Sequence, residues 1–246
     1  MDSDDRPIGH LLTRRAALAL LGAGGLIATL SPGERGQREG DAAAAEPSAC
    51  VARPALTEGP YFVDAKLNRS DIRSDPSDGS VKPGAPLRLA LRVSRLTAGS
   101  CAPLPGAMVD VWHCDALGAY SDVSDPGGST VGKKFLRGYQ VTDAEGLVRF
   151  TTIYPGAYPG RAVHIHFKIR SEAGGGRKHE FTSQLFFDDA LTDQVHAQAP
   201  YVTPGRSRLR NAGDGIYGGA GTQLTLAVTP AAPGYAASFD LALQIA

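Results

Sequence analysis

The run "PLRLALRVSRL" at 86–96 alternates apolar and polar side chains, with Leu87, Leu89, Leu91 and Val93 at every second position. Only an extended chain sends successive side chains to opposite faces, so this stretch reads as a strand with one face in a core. The same period-two character returns in "AMVDVWHCDA" (107–116) and in "FLRGYQVTDAEGLVRFTTIYPG" (135–156), which reads as two strands joined at the turn "DAEG". It returns again in "AVHIHFKIR" (162–170), "EFTSQLFFDD" (180–189), "TQLTLAVTP" (222–230) and "SFDLALQIA" (238–246). Only "ALTDQVHAQAP" (190–200) reads as a short helix. The 30 glycines and 17 prolines are scattered through the chain as turn punctuation. Short strands separated by such turns define an all-β chain, an antiparallel β-sandwich with few short helices. At 246 residues the chain is long enough for one substantial core.

The first 49 residues follow different rules. Arg14 and Arg15 precede an apolar, Gly/Ala-rich run from Ala16 to Leu30, and a polar, alanine-rich stretch follows. That is the layout of a twin-arginine export signal with its linker, with small residues for cleavage at Ala42–Ala45. The apolar run is shorter than the roughly 20 residues of a membrane span, which argues against an anchor and for no stable span after processing. The expected location is extracellular or at the cell surface, with residues 50–246 as the mature domain. In an oxidising compartment two of Cys50, Cys101 and Cys114 pair, and the sequence leaves all three pairings open. Formal net charge is zero and no basic block stands out, so nucleic acid is excluded as a partner. Homo-oligomers are compatible with this composition.

Chemistry concentrates in "GRAVHIHFKI" at 160–169. In a strand, His164 and His166 stand on one face and Ile165 and Phe167 on the other. Two neutral imidazoles are half of a site for Zn, Cu, Ni or Fe. Tyr154 and Tyr158 lie just upstream, and Tyr120 ends the Gly-containing stretch "WHCDALGAY". Phenolate is a hard, strongly donating ligand, and it favours iron in the ferric state. A cupin barrel also opens its metal motif with His-x-His, but it needs a glutamate soon afterwards. Here the first acid after His166 is Glu172, and His179 and His196 lack the surroundings of a third cupin ligand.

The joint pattern resembles the intradiol ring-cleavage dioxygenases, of the protocatechuate 3,4-dioxygenase and catechol 1,2-dioxygenase type. The resemblance rests on "LTEGPYF" (56–62), "PLPGAMVDVWHCDALGAYSD" (103–122), "LRGYQVTDAEGLVRFTTIYPGAYPGRAVHIHFKI" (136–169) and "TSQLFF" (182–187), in the family's order. It is nearest to the exported, single-chain branch, and the N-terminal helical dimerisation region of the catechol enzymes has no counterpart. The resemblance implies a non-haem Fe(III) held by Tyr120, Tyr158, His164 and His166. It implies that Tyr120 stays on the metal while Tyr158, the axial ligand, leaves as substrate binds and takes a proton. Arg161 matches the family's catalytic arginine, although Arg-Ala-Val-His stands where the family often has Arg-Pro-Ala-His. Gln184 matches a glutamine that steadies that arginine. Gly59, Pro60 and Tyr61 match a segment lining the substrate pocket.

The implied reaction is cleavage of a catechol by O2 between its two hydroxyl-bearing carbons, giving a cis,cis-muconate-type dicarboxylic acid. Arg161 would stabilise the negative charge that builds on the ring. No carboxylate accompanies the histidines, so the 2-His-1-carboxylate Fe(II) site of extradiol enzymes is not expected. Tyr154 and Trp112 read as packing residues, His113 as a satisfied histidine rather than a ligand, and Asp188 and Asp189 as a solvated turn. The competing reading is a metal-free sandwich that binds ligands at the cell surface, with Tyr120 and Tyr158 as surface aromatics.

Overall fold

The structure, a computed structural model, describes residues 50–97, 100–125, 128–173, 177–202 and 207–245. The expected export signal and linker at 1–49 lie outside the described residues. Among the described residues no helix is long and apolar enough to cross a membrane.

The elements in chain order are β1 (Pro86–Thr97), β2 (Ser100–Pro103), β3 (Met108–Trp112), the short ribbon β4 (Ser124–Asp125) and β5 (Gly128–Ser129), β6 (Arg137–Val141) and β7 (Leu147–Ile153). They continue with β8 (His164–Ala173), β9 (Arg177–Phe186), α1 (Asp189–His196), α2 (Tyr217–Ala220), β10 (Ala227–Ala231) and β11 (Gly234–Gln244). β1 organises the first sheet. The first half of one edge pairs with β7 and its end with β2, while the other edge pairs with β11, which carries β10. The second sheet runs β6–β3–β8–β9, antiparallel throughout. The sandwich is thus as expected, with one departure: β1 and β11 run parallel.

The core lies between the sheets. Leu87, Leu89, Leu91 and Val93 of β1 face Val109 and Val111 of β3 and Ile165, Phe167 and Ile169 of β8 within one buried cluster. Each such side chain removed from water contributes roughly 1.5–3 kcal/mol, which is why the alternation dictates the register. The "DAEG" turn forms as read: Asp143 Oδ1 accepts from the backbone N–H groups of Glu145 and Leu147, and Gly146 takes φ +72°.

Several boundaries move for local reasons. The strand expected over 107–116 stops at Trp112, where its pairing with β6 and β8 ends, and Asp115 Oδ1 then accepts from Leu117 N and Ala119 N in a turn. The strand expected over 180–189 stops at Phe186, and Asp188 caps α1 by accepting from Leu191 N. Asp189 pairs with Arg208, so the acidic pair is a helix start with an ion pair rather than a solvated turn, although Asp188 itself is exposed. α2, a four-residue turn of sequence YGGA, was not expected, because its glycines carry poor helix propensity. Cys50 and Cys101 form the disulfide, which ties the start of the described domain to β2, and Cys114 is free and buried.

Candidate metal and substrate site

The face of the second sheet that points away from the core carries an aligned row of side chains. Arg137 of β6 lies opposite Trp112 of β3, Trp112 opposite His166 of β8, and His166 opposite Gln184 of β9. All four are buried, although they stand on the outer face of the sheet. Three covers explain this: the segment 56–62, the loop 113–122 that follows β3, and the loop 154–163 that follows β7.

His164 and His166 emerge side by side, as the strand alternation requires, with their Nε2 atoms 2.9 Å apart. Tyr158 Oη lies 3.1 Å from His164 Nε2, and Tyr120 Oη lies 3.5 Å from it. The structure therefore gathers all four expected ligands from three separate stretches of chain. His164 Nδ1 donates to the Ala162 carbonyl, which leaves its Nε2 lone pair pointing at the other donors. Burial, reinforced by the Arg161 charge, lowers the His164 pKa to about 3. Burial and then the neighbouring His164 hold His166 well below its ordinary value. Both imidazoles are thus neutral and available as ligands. Burial pushes Tyr158 up to about 12 against the pull of Arg161, and it drives Tyr120 well above its ordinary value. Neither phenol ionises here without a strong positive charge beside it. Two neutral imidazole nitrogens and two phenol oxygens crowded together fit a metal cation, and phenolate with imidazole suits iron. Among the described residues no cluster of three or more His, Cys, Asp or Glu gathers to hold a metal, so no carboxylate joins the set.

Arg161 is fixed on two sides. Its Nε donates to Asp214 Oδ2 at 3.0 Å, its Nη2 donates to Gln184 Oε1 at 2.6 Å, and its Nη1 lies 3.5 Å from His164 Nε2. Gln184 also donates from Nε2 to the Thr57 carbonyl. Asp214 was missed by sequence reasoning. It is buried and accepts from Ala162 N and Ile216 N as well. Burial alone would raise its carboxyl, but the Ala162 N–H and the Arg161 charge outweigh that and hold it below the ordinary carboxylate value. It lies 53 residues from Arg161, and no local pattern links the two.

Aromatic rings wall the site. Trp112 stacks on His166 with centroids 4.9 Å apart and planes within 6°. Tyr61 stacks on Tyr120 at 4.3 Å and meets Tyr158 edge-on at 6.1 Å. Gly59 sits over His166: a Cβ there would lie 3.4 Å from His166 Cε1, and φ is +71°. Pro60 is exposed between them. The expected bystanders behave as bystanders. Tyr154 is fully buried with its hydroxyl 2.7 Å from Thr192 Oγ1, and His113 is satisfied away from the ligands.

The two tyrosine loops touch through glycine. A Cβ on Gly156 would lie 2.4 Å from the Ala116 carbonyl oxygen and 2.5 Å from that of Asp115, and Gly156 N donates to the Asp115 carbonyl. We expect Gly156→Ala to lower stability by roughly 2–3 kcal/mol, seen as a depressed thermal midpoint. Gly215→Ala is the control, since a Cβ there meets nothing within 4 Å. Equal midpoints for the two variants would contradict the close approach.

Comparison with known proteins places this geometry. The family model described as Dioxygenase matches residues 57–214. The β chain of protocatechuate 3,4-dioxygenase from Burkholderia cepacia is 34% identical over 122 residues, covering 46% of this chain and 51% of that one. Chlorocatechol 1,2-dioxygenase from Pseudomonas sp. strain P51 is 28% identical over 154 residues, covering 55% of each. The chain thus spans about half the length of the curated relatives it matches. Among solved structures, an intradiol ring-cleavage dioxygenase from Tetranychus urticae is 30% identical with a TM-score of 0.67, covering 79% of this chain and 95% of that one. The dioxygenase domain of a dioxygenase carbohydrate-binding protein fusion from Streptomyces sp. SirexAA-E is also 30% identical, with a TM-score of 0.56 and coverage of 80% and 100%.

Proposed function

From a chain that belongs to the intradiol ring-cleavage dioxygenase family, we propose an Fe(III)-dependent enzyme that cleaves a catechol-type aromatic with O2 between its two hydroxyl-bearing carbons. The product is a cis,cis-muconate-type dicarboxylic acid. The observation that carries this reading is the convergence of Tyr120, Tyr158, His164 and His166, with Arg161 held against them.

Ferric iron, when bound, supplies Lewis acidity toward a chelating diol and a path for its electrons to dioxygen. The chain supplies the rest. Tyr120 and the two histidines would be the metal's fixed holders. Tyr158 is less deeply buried, and its oxygen, ionised beside a bound cation, would be the group placed to take a proton from an incoming diol. Arg161, a permanent cation at the edge of the site, faces the ring and opposes charge that builds there. Gly59, Pro60 and Tyr61 border the space left for that ring.

Residues 1–49 serve as a twin-arginine export signal in this reading, and the enzyme acts outside the cytoplasm. The Cys50–Cys101 disulfide supports an oxidising compartment.

The test is purification of the exported protein with iron analysis, visible spectroscopy and oxygen uptake on a panel of catechols. The expected sample is burgundy to red and contains iron, and it converts a catechol to a product with the ultraviolet spectrum of a muconate. A folded, colourless, iron-free sample that consumes no oxygen would sink the proposal in favour of a binding module. A yellow product would place cleavage outside the diol.

A further inference from the structure

The buried row on the second sheet ends in two side chains that do the same job in mirror positions. At the β9 end, Gln184 donates to the Thr57 carbonyl. At the β6 end, Arg137 donates from Nη1 to the Tyr61 carbonyl at 3.3 Å. The segment Thr57–Tyr61 therefore crosses the sheet as a strap fastened at both ends, with Gly59 over His166 between them.

Arg137 does more than fasten the strap. Its Nε donates to Ser121 Oγ at 2.7 Å, and its Nη2 donates to the Ser121 carbonyl. Ser121 directly follows Tyr120, and Ser121 Oγ donates in turn to the Phe135 carbonyl at 2.6 Å. One guanidinium thus grips the backbone on both sides of the Tyr61–Tyr120 stack. It is 2% exposed, and among the described residues no carboxylate lies within ion-pair distance of it. A buried cation held by carbonyl and hydroxyl oxygens instead of an anion is a costly arrangement.

The backbone around it is also strained. Leu136 has φ +53°, in the left-handed region that most non-glycine residues avoid, and Asp122, of a type that tolerates the region better, has φ +59°. Leu136 immediately precedes Arg137, and Asp122 immediately follows Ser121. Strain of this kind persists only where surrounding structure overrides it, and it gathers at functional sites.

We propose that Arg137 is a positioning residue that sets the Tyr61 ring on the Tyr120 ring and so fixes the wall against which the aromatic substrate lies. This rests on the iron-dependent catechol reading given above. Arg137 touches no substrate in this assignment; it acts through the backbone of Tyr61 and Ser121.

The test is a double-mutant cycle read by catechol binding without oxygen, followed through the shift of the visible band, on wild type, Arg137→Gln, Tyr61→Ala and the double variant. Arg137→Gln is expected to keep its iron and to weaken catechol binding by roughly tenfold. In the Tyr61→Ala background the same change is expected to cost less than about twofold, because the ring it positions is gone. Arg137→Lys keeps the charge but lacks the fork that spans two carbonyls, so it is expected to bind as weakly as Arg137→Gln. It also provides the reading if Arg137→Gln fails to fold. Unchanged affinity in the Arg137 variants, full rescue by Lys, or equal losses with and without the Tyr61 ring would overturn the inference while leaving the iron-catechol reading intact. A wild-type protein that takes up no iron and binds no catechol would overturn both.

Discussion

Tyr158→Phe is expected to retain iron and to lose turnover by roughly a hundredfold to a thousandfold, whereas Tyr120→Phe and His166→Ala are expected to lose the metal itself and all oxygen uptake with it. The asymmetry between the tyrosines is built into their surroundings. Tyr120 is buried, its ring stacks on Tyr61, and its carbonyl accepts from Thr130 Oγ1 at 2.6 Å. The next residue is gripped by Arg137. A ring held from so many sides has nowhere to go. Tyr158 sits on a turn with Gly160 at φ +82° and is only partly buried, and His164 Nε2 is the hydrogen-bond partner of its hydroxyl. It is the ring free to move aside and carry a proton away. Phe at 158 keeps the ring and removes the acceptor, so three ligands hold the iron while the proton transfer fails. His166 stands in the middle of the row, stacked on Trp112, and its loss opens a buried hole as well as removing a donor. Iron content per chain and steady-state oxygen uptake decide the matter. An iron-free Tyr158→Phe, or a fully active one, would reverse the assignment of the two tyrosines.

The parts of this site that were legible in the sequence are those where one period or one loop suffices. Strand alternation alone places His164 and His166 together, and the structure finds them 2.9 Å apart. The apolar half of β1 likewise announces the core. Tyr120 and Tyr158 could be tied to the histidines only through resemblance, because the contact between their loops depends on Gly118 and Gly156. Each of these glycines lies against the opposite loop's backbone in a way no local pattern encodes. Arg137 escaped notice for a related reason. In "FLRGYQV" it reads as an outward charge on a half-buried strand, and only the arrival of Tyr61 and Ser121 from elsewhere buries it. The choice among three cysteines was a matter of distance and not of sequence, and so was the parallel pairing of β1 with β11.

Arg161 carries the other large effect. Its guanidinium lies beside the donors at 3.5 Å from His164 Nε2, so it is near enough to act on a ring chelated there. A permanent cation in a site walled by Tyr61, Tyr120 and Trp112 is screened far less than one in water. Removing such a charge costs roughly a hundredfold to a thousandfold in kcat when it stabilises charge that develops in the transition state. We therefore expect Arg161→Ala to keep its iron and its red colour while losing turnover by that amount, and added guanidinium ion to restore part of it. Asp214→Asn separates placement from charge. The amide oxygen keeps an acceptor for Ala162 N and Arg161 Nε, which share Oδ2, but removes the ionic hold and replaces the acceptor of Ile216 N with an NH2, so the arginine stays nearby with less constraint. Its kcat is expected to fall by roughly tenfold, with KM little changed and no response to guanidinium. Should Arg161→Ala turn over as the wild type does, the cation is a structural anchor for Asp214 and Gln184, and the charge on the ring must be met by another group. Should Asp214→Asn fall as far as Arg161→Ala, the aim of the guanidinium matters as much as its presence.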